Sequence, residues 1–280
     1  MKVLRDENLS NHTTIQIGGI AKKFVIPENV KELVYLYNEK HPKYFIGGGS
    51  NLLISEREYD MVVDLSKFST LFEHKGEGIF QVGASIRLQS FINGINNEGY
   101  GGIEYLFSVP GLVGGAVVMN AGRGEAFHQC ISDYIVSVEY IYNDAIKTIL
   151  RDECEFAYRT SLFKKINCVV ISCTFQFPKI EKLEADRKKK ERIEICKRVQ
   201  DNSAPNFGSV FAKCNPKIMK IVKTLRIGGG KSIRFSSKTD NWLLNRNAGS
   251  FEEAIRAINK VETIHRFARK NCEREVIVWE

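Results

Sequence analysis

"FIGGGSNLLI", residues 45–54, sets three consecutive glycines between two short apolar runs. Tyr44-Phe45-Ile46 has the aromatic and β-branched make-up of a strand. Glycines behind a strand let the backbone turn with positive φ and let a ligand come close to the main chain. N–H groups that converge in such a turn form a nest suited to phosphate oxygens. A second segment of this kind, "SVPGLVGGAVVMNAGRG", spans 108–124. A single glycine cluster is equally well a tight turn. Two clusters, each behind a strand and each carrying small hydrogen-bonding residues (Ser50, Asn51, Ser108, Asn120), suit a diphosphate held between two subdomains. Neither is a G-x-G-x-x-G opening a helix. "IGGGKS" at 227–232 has the ending of a P-loop, but Leu225 stands where that motif needs its first glycine.

Working outward, Phe24-Val25-Ile26 reads as a strand stopped by Pro27. Val30, Leu33, Val34 and Tyr37 mark a helix face, and Met61 to Leu65 a further strand. Phe80-Gln81-Val82 leads into a helix with Leu88, Phe91, Ile92 and Ile95 on one side. The glycine-rich 108–124 reads as a loop. Residues 134–142, 147–150 and 168–177 are strand-like. A boundary falls near Pro178, and 181–200 form a highly charged helix. Ser250 and Glu253 have the spacing of a capping box for a helix whose apolar face is Ala254, Ile258, Val261 and Ile264. Glu275 to Trp279 closes the chain as a strand. Helices and strands interleave without regular βαβ spacing, so the fold class is α+β. The segments divide at 1–66, 67–178 and 179–280.

The bulk properties narrow the function. The chain has 280 residues, 43% apolar and 26% charged, ordinary for a globular protein. No apolar run approaches the length of a membrane span, and the acidic turn at Asp6 and Glu7 is unlike a signal peptide, so a cytoplasmic location is expected. The net charge of +8 is partly local, around Arg187 to Arg198, where a solvated helix face is the simplest account. No zinc finger or RNA-recognition signature points to nucleic acid. The seven cysteines are scattered, with no C-x-x-C, and the five histidines lack metal-ligand spacing, which predicts reduced thiols and no metal.

"GGGSNLLI" and "VPGLVGGAVVMNAG", followed by "YRTS" (158–161) and "GSVF" (208–211), resemble in order and spacing the UDP-N-acetylenolpyruvoylglucosamine reductase family. The resemblance covers nearly the whole chain. It implies two FAD-binding subdomains of the vanillyl-alcohol-oxidase-like (PCMH-type) fold and a C-terminal α+β substrate domain. It implies FAD held by Gly47, Gly48, Gly49, Ser50, Asn51 and Leu52, and by Ser108, Val109, Pro110, Gly111, Gly114, Gly115, Ala116, Asn120 and Gly122. It implies NADPH as reductant and a nucleotide-sugar enolpyruvyl ether as substrate, hydride adding at C3 and a proton at C2. Its further implication is a soluble enzyme of peptidoglycan synthesis with no membrane insertion.

The implied chemistry matches residue types. Hydride addition drives charge onto the enolpyruvyl carboxylate, and an arginine fork stabilises such charge. Arg159 matches that role. Ser209 matches the donor of the C2 proton, and Glu275 the assisting carboxyl group, with Glu273 the alternative. Tyr158, Lys213 and Asn245 match substrate contacts. Each has a plainer account: a surface ion pair for Arg159, a turn residue for Ser209, a strand-edge carboxylate for Glu275. Two departures from the family pattern stand out. Thr239 in "FSSKTDNWLLN" (235–245) replaces a usual histidine, and in "GSVFAKCNP" Lys213 is displaced by one residue. They open two alternatives, a divergent flavoprotein acting on another nucleotide sugar or enolpyruvyl acid, for example in surface polysaccharide synthesis, and a non-catalytic FAD-fold module.

Overall fold

The computed structural model describes residues 1–41 and 43–280. In chain order the first elements are β1 (Lys2–Asn8), β2 (Ile20–Ile26), α1 (Val30–Asn38), β3 (Tyr44–Ile46), β4 (Leu52–Ile54) and β5 (Glu58–Asp64). Then come β6 (Phe72–His74), β7 (Ile79–Gly83), α2 (Leu88–Asn97), α3 (Val113–Val118), β8 (Ile135–Tyr142), β9 (Ala145–Leu150), α4 (Leu162–Lys165) and β10 (Val169–Gln176). The last are α5 (Lys182–Val199), β11 (Phe211–Lys213), α6 (Pro216–Thr224), β12 (Ile233–Phe235), β13 (Leu243–Asn245), α7 (Phe251–Phe267), β14 (Glu273–Arg274) and β15 (Ile277–Trp279). Among the described residues no helix is long and apolar enough to cross a membrane.

The chain's own contacts divide it into two compact units. One comprises Met1–Val3, Phe24–Gly48 and Met61–Ile195; the other comprises Leu4–Lys23, Gly49–Asp60 and Cys196–Glu280. The segment 1–66 is thus shared out according to where its apolar side chains go. Leu33, Leu36 and Val63 join the core of the first unit. Ile15, Ile17 and Leu53 join that of the second.

The first unit is built on a five-stranded sheet in the order β6-β7-β10-β8-β9. β10 lies in the middle, antiparallel to both β7 and β8. It is covered on both faces: all of Val169 to Cys173 are buried, which is why its sequence runs apolar instead of alternating. α2 lays Leu88, Phe91, Ile92 and Ile95 into this core, each no more than 1% exposed. Such burial is worth about 1.5–3 kcal/mol per side chain. β3 pairs in parallel with β5, Tyr44 opposite Val62, which fixes where the first glycine loop begins. α5 carries its cations against its own carboxylates, Lys188 with Glu184 and Arg187 with Glu191 at i,i+4. With Lys189 against Asp186, part of the basic run is paired within this solvated helix.

The second unit packs α6 and α7 with the short β11–β14 and β12–β13 pairs around Phe211, Met219, Ile233 and Ile258. Ser250 caps α7 as its sequence predicts. Its Oγ accepts from Glu253 N at 3.2 Å, and Glu253 accepts from Ser250 N at 3.3 Å. His265 of α7 is fully buried. Its Nε2 accepts from Asn215 N at 3.0 Å, so Nδ1 carries the proton toward Val261 O at 2.8 Å.

Two sequence expectations change, and a helix the sequence analysis did not mark appears. The loop 108–124 contains α3, because Val113, Ala116 and Val117 bury one helical face and glycine at 114 lets it rest on Ala84, where a Cβ would stand 2.9 Å from the Ala84 methyl. Asn215-Pro216 starts α6: the Asn215 side chain accepts from Lys217 N and Ile218 N, and proline takes the first helical position. The terminal strand starts at Ile277 and not at Glu275, and a separate β14 precedes it. β14 pairs with β11 and β15 with β4, while between them Glu275 N and Val276 N both donate to Val210 O, at 2.9 and 3.3 Å.

Candidate active site

In the first unit the two glycine loops meet backbone to backbone. A Cβ on Gly48 would stand 2.8 Å from the Gly111 Cα, and Gly111 has φ +125°. Leu88 N holds Gly111 O at 3.1 Å, fixing the second loop to the start of α2. Gly48, Pro110 and Gly115 are exposed, and a Cβ at Gly115 would point into open space, whereas Ala116 is buried. Val109 N bonds Leu106 O at 2.8 Å. Arg192 of α5 donates its Nε to Ser108 Oγ at 2.9 Å. With 84 residues between them, nothing local to the loop marks Arg192 as its partner.

The "YRTS" turn is fastened to the second glycine loop. Ala157 and Thr160 exchange backbone hydrogen bonds at 3.1 and 3.2 Å. Asn120, 2% exposed and with φ +44°, donates its amide to Ala157 O at 2.9 Å. Ser161, fully buried, donates to Val118 O at 2.7 Å. Arg159 has φ +55°, a left-handed conformation uncommon for a residue with a side chain and frequent at functional sites. Its Nη2 reaches Gly122 O at 3.0 Å, and its guanidinium lies 5.4 Å from the Tyr158 ring centroid. Asn120, Gly122, Tyr158 and Arg159 are thus one cluster.

The second unit holds the rest of the first loop. Gly49 has φ +60°, and a Cβ there would stand 1.8 Å from His12 O. Asn51 donates its amide to Glu275 O at 3.1 Å and accepts Ile277 N at 3.0 Å, and Leu52 stands opposite Ile277. Ser50, half-buried, lies between them. Ser209 follows Gly208, whose φ is +79° and whose N–H bonds Asn206 Oδ1 at 3.0 Å. Asn241 clamps the next two residues: its carbonyl accepts Val210 N, its Oδ1 accepts Phe211 N, and its amide donates to Phe211 O. Ser209 is half-buried and bridges Trp242 through the backbone. No described residue hydrogen-bonds its hydroxyl. Glu275 sits one backbone bond away, through Val210 O.

The remaining sequence candidates fall elsewhere in this unit. Lys213 lies 3.4 Å from Glu273 Oε2. The Glu273 carboxyl is held below its usual range, first by the Asn271 amide and then by Lys213. Glu273 is therefore occupied at the surface, while Glu275 adjoins the Ser209 strand. Asn245 is 4% exposed, donates to Ile15 O at 2.9 Å and accepts Gly249 N at 2.7 Å. Both ends of its amide serve the scaffold. Asn245→Leu would strand two buried backbone groups and lower unfolding stability by about 2–4 kcal/mol. Denaturant titration checks this; unchanged stability with lost substrate affinity would return Asn245 to a ligand role.

Two other motif residues also turn out to be scaffold. Ser236 donates to the Asp201 carboxylate at 2.5 Å and accepts Lys238 N and Thr239 N. Thr239 donates to Val199 O at 2.7 Å at the end of α5. All seven thiols are free. Burial pushes Cys154, Cys168 and Cys272 up to about 12, away from thiolate chemistry.

Exposed glycine backbone on two touching loops, with a Cβ excluded at their contact, fits a diphosphate-bearing cofactor. The comparisons agree. A family model described as an FAD binding domain matches residues 21–147. These observations define an FAD-binding α+β protein. A UDP-N-acetylenolpyruvoylglucosamine reductase of Halalkalibacterium halodurans is 31% identical over 97% of this chain and 92% of its own. One from Fusobacterium nucleatum is 29% identical over 99% of both. A crystal structure of the enzyme from Thermus caldophilus matches with a TM-score of 0.82 over the whole of both chains, at 24% identity, which establishes the fold. The chain belongs to the UDP-N-acetylenolpyruvoylglucosamine reductase family.

Proposed function

We propose that this chain is the FAD-dependent, NADPH-using oxidoreductase that converts UDP-N-acetylglucosamine enolpyruvate to UDP-N-acetylmuramate in peptidoglycan precursor synthesis. The observation that carries this is kinship with reductases of that name from end to end of the chain, covering the glycine loops and the Ser209 strand alike. FAD, when bound, supplies the redox chemistry between NADPH and the enolpyruvyl double bond.

The chain's residues do the rest. The backbones of Gly47–Asn51 and Ser108–Gly115 take the diphosphate, with Arg192 steadying Ser108. Arg159 holds the substrate carboxylate and stabilises the charge that gathers there as hydride adds at C3. Its backbone is pinned through the 157–160 turn to Asn120, and Tyr158 packs beside its guanidinium. Ser209 delivers the proton to C2. Its hydroxyl, unengaged by any described residue, is free to do so. Glu275, which adjoins the Ser209 strand through Val210 O, is the assisting carboxyl group, in preference to Glu273 at the surface. Lys213 serves the substrate only by leaving Glu273.

The two departures from the family pattern do not argue for another substrate. Thr239 has a scaffold partner in Val199 O, and Lys213 in Glu273. We place residues 1–66 and 67–178 around the flavin and 179–280 around the substrate; the family-model match over 21–147 lies within the first two segments. A UDP-sugar substrate and an NADPH reductant are cytoplasmic pools, so we place the enzyme there, without membrane insertion or a nucleic-acid partner.

Anaerobic stopped-flow tests the function. The purified protein is expected to be yellow, to bleach with NADPH, and to regain colour when UDP-N-acetylglucosamine enolpyruvate is added. Bleaching without recovery would refute the substrate; a colourless protein that takes up no FAD would refute the flavin assignment.

A further inference from the structure

The outer side of α7 carries a surface that neither the core nor the reaction uses. The inner positions Ala254, Ile258 and Val261 are fully buried, yet Phe267 in the last turn is 86% exposed. A groove of 570 Å³ follows the helix, lined by Ile255, Arg256, Lys260, Ile264 and Phe267, with Ile227 from the turn after α6. Leu225, at the end of α6, is 66% exposed.

The charge there is one-sided. Among the described residues Arg226, Arg256, Lys260, Arg266, Arg269 and Lys270 form no ion pair. The only carboxylate lining the groove is Glu252. Of the other α7 carboxylates, Glu253 caps the helix and Glu262 pairs with Arg274. Unpaired cations around a protruding aromatic ring complement a surface that is anionic outside and apolar just beneath. An anionic phospholipid bilayer has that layering. An acidic protein surface would match the cations but offer no depth for a ring that stands out so far.

We propose that the α6–α7 end of the second unit docks on bilayers containing anionic phospholipid. Phe267 enters the headgroup–acyl boundary, and Arg256, Lys260, Arg266 and Lys270 meet the lipid phosphates. This is peripheral binding, independent of the flavin and substrate assignments.

Sedimentation of the FAD-loaded full chain with vesicles tests it. Binding is expected to vesicles of phosphatidylcholine mixed with phosphatidylglycerol, to weaken with added salt, and to be missing with phosphatidylcholine alone. Arg256→Gln combined with Lys260→Gln lowers the partition coefficient about 25-fold, about five-fold per charge. Phe267→Ser lowers it about ten-fold or more. Phe267 is too exposed for its loss to disturb folding, and NADPH oxidation by all variants stays at the parent rate. Equal binding to both vesicle types, no binding to either, or variants that bind as well as the parent would overturn the proposal. Retention on immobilised polyglutamate without partition into phosphatidylglycerol vesicles would also overturn it, and would assign the surface to an acidic protein.

Discussion

Ser209→Ala leaves the reduction of bound flavin by NADPH at the parent rate and slows reoxidation by the enolpyruvyl substrate about 10²–10⁴-fold, the usual contribution of general acid catalysis. The asymmetry follows from the role. The hydride step from NADPH needs no proton at the substrate's C2, whereas the second half of the cycle does. The fold is expected to survive, because no described residue bonds the Ser209 hydroxyl. The strand is held instead by Gly208 N on Asn206 Oδ1 and by the Asn241 clamp on Val210 and Phe211. Single-turnover stopped-flow separates the two halves. Equal reoxidation rates in variant and parent would refute the proton-donor role, and slowing of both halves would point to general damage.

Gly48→Val yields a folded but colourless protein. The smallest side chain at 48 would bring its Cβ to 2.8 Å from the Gly111 Cα, a contact with backbone that no rotamer relieves. The two loops must separate, and the backbone surface they share is lost as a diphosphate cradle. The effect on flavin is expected to be large because affinity there depends on N–H groups whose positions the contact sets. Titration of apo-protein with FAD, followed by flavin fluorescence, gives the loss. Gly124→Ala is the control: its Cβ meets no atom within 4 Å and its φ is −50°, so the fold and FAD affinity are unaffected. Retention of FAD at parental affinity by Gly48→Val would overturn this account.

Periodic apolar segments were legible in the sequence. α2 declared itself through Leu88, Phe91, Ile92 and Ile95, and α7 through its Ser250–Glu253 cap and apolar face, because local spacing alone decides those features. α3 escaped, since Gly114 and Gly115 carry low helix propensity and only the burial of Val113, Ala116 and Val117 makes the turn. The carboxyl-terminal strand starts at Ile277 and not at Glu275, although the apolar run from Val276 gives no local sign of the break. The break comes from a distant acceptor, Val210 O. Motifs located the glycine loops, Arg159 and Ser209. The partners that hold them, Asn241 for Phe211 and Arg192 for Ser108, lie 30 and 84 residues away and leave no local trace. Asn245 shows the opposite error, a motif position whose amide is consumed by Ile15 and Gly249.

The pairing of β4 with β15 has a consequence for the order of events during synthesis. Leu52–Ile54 emerges from the ribosome long before its strand partner Ile277–Trp279. Asn51 likewise waits for Glu275 O. Until Ile277–Trp279 has been synthesised, the main-chain groups of that strand stay hydrated or chaperoned, and the end of the first glycine loop that they anchor stays unformed. The loop is therefore completed late, and a ribosome that stops before Ile277 leaves a chain that carries nearly every motif and cannot close the loop that begins at Gly47.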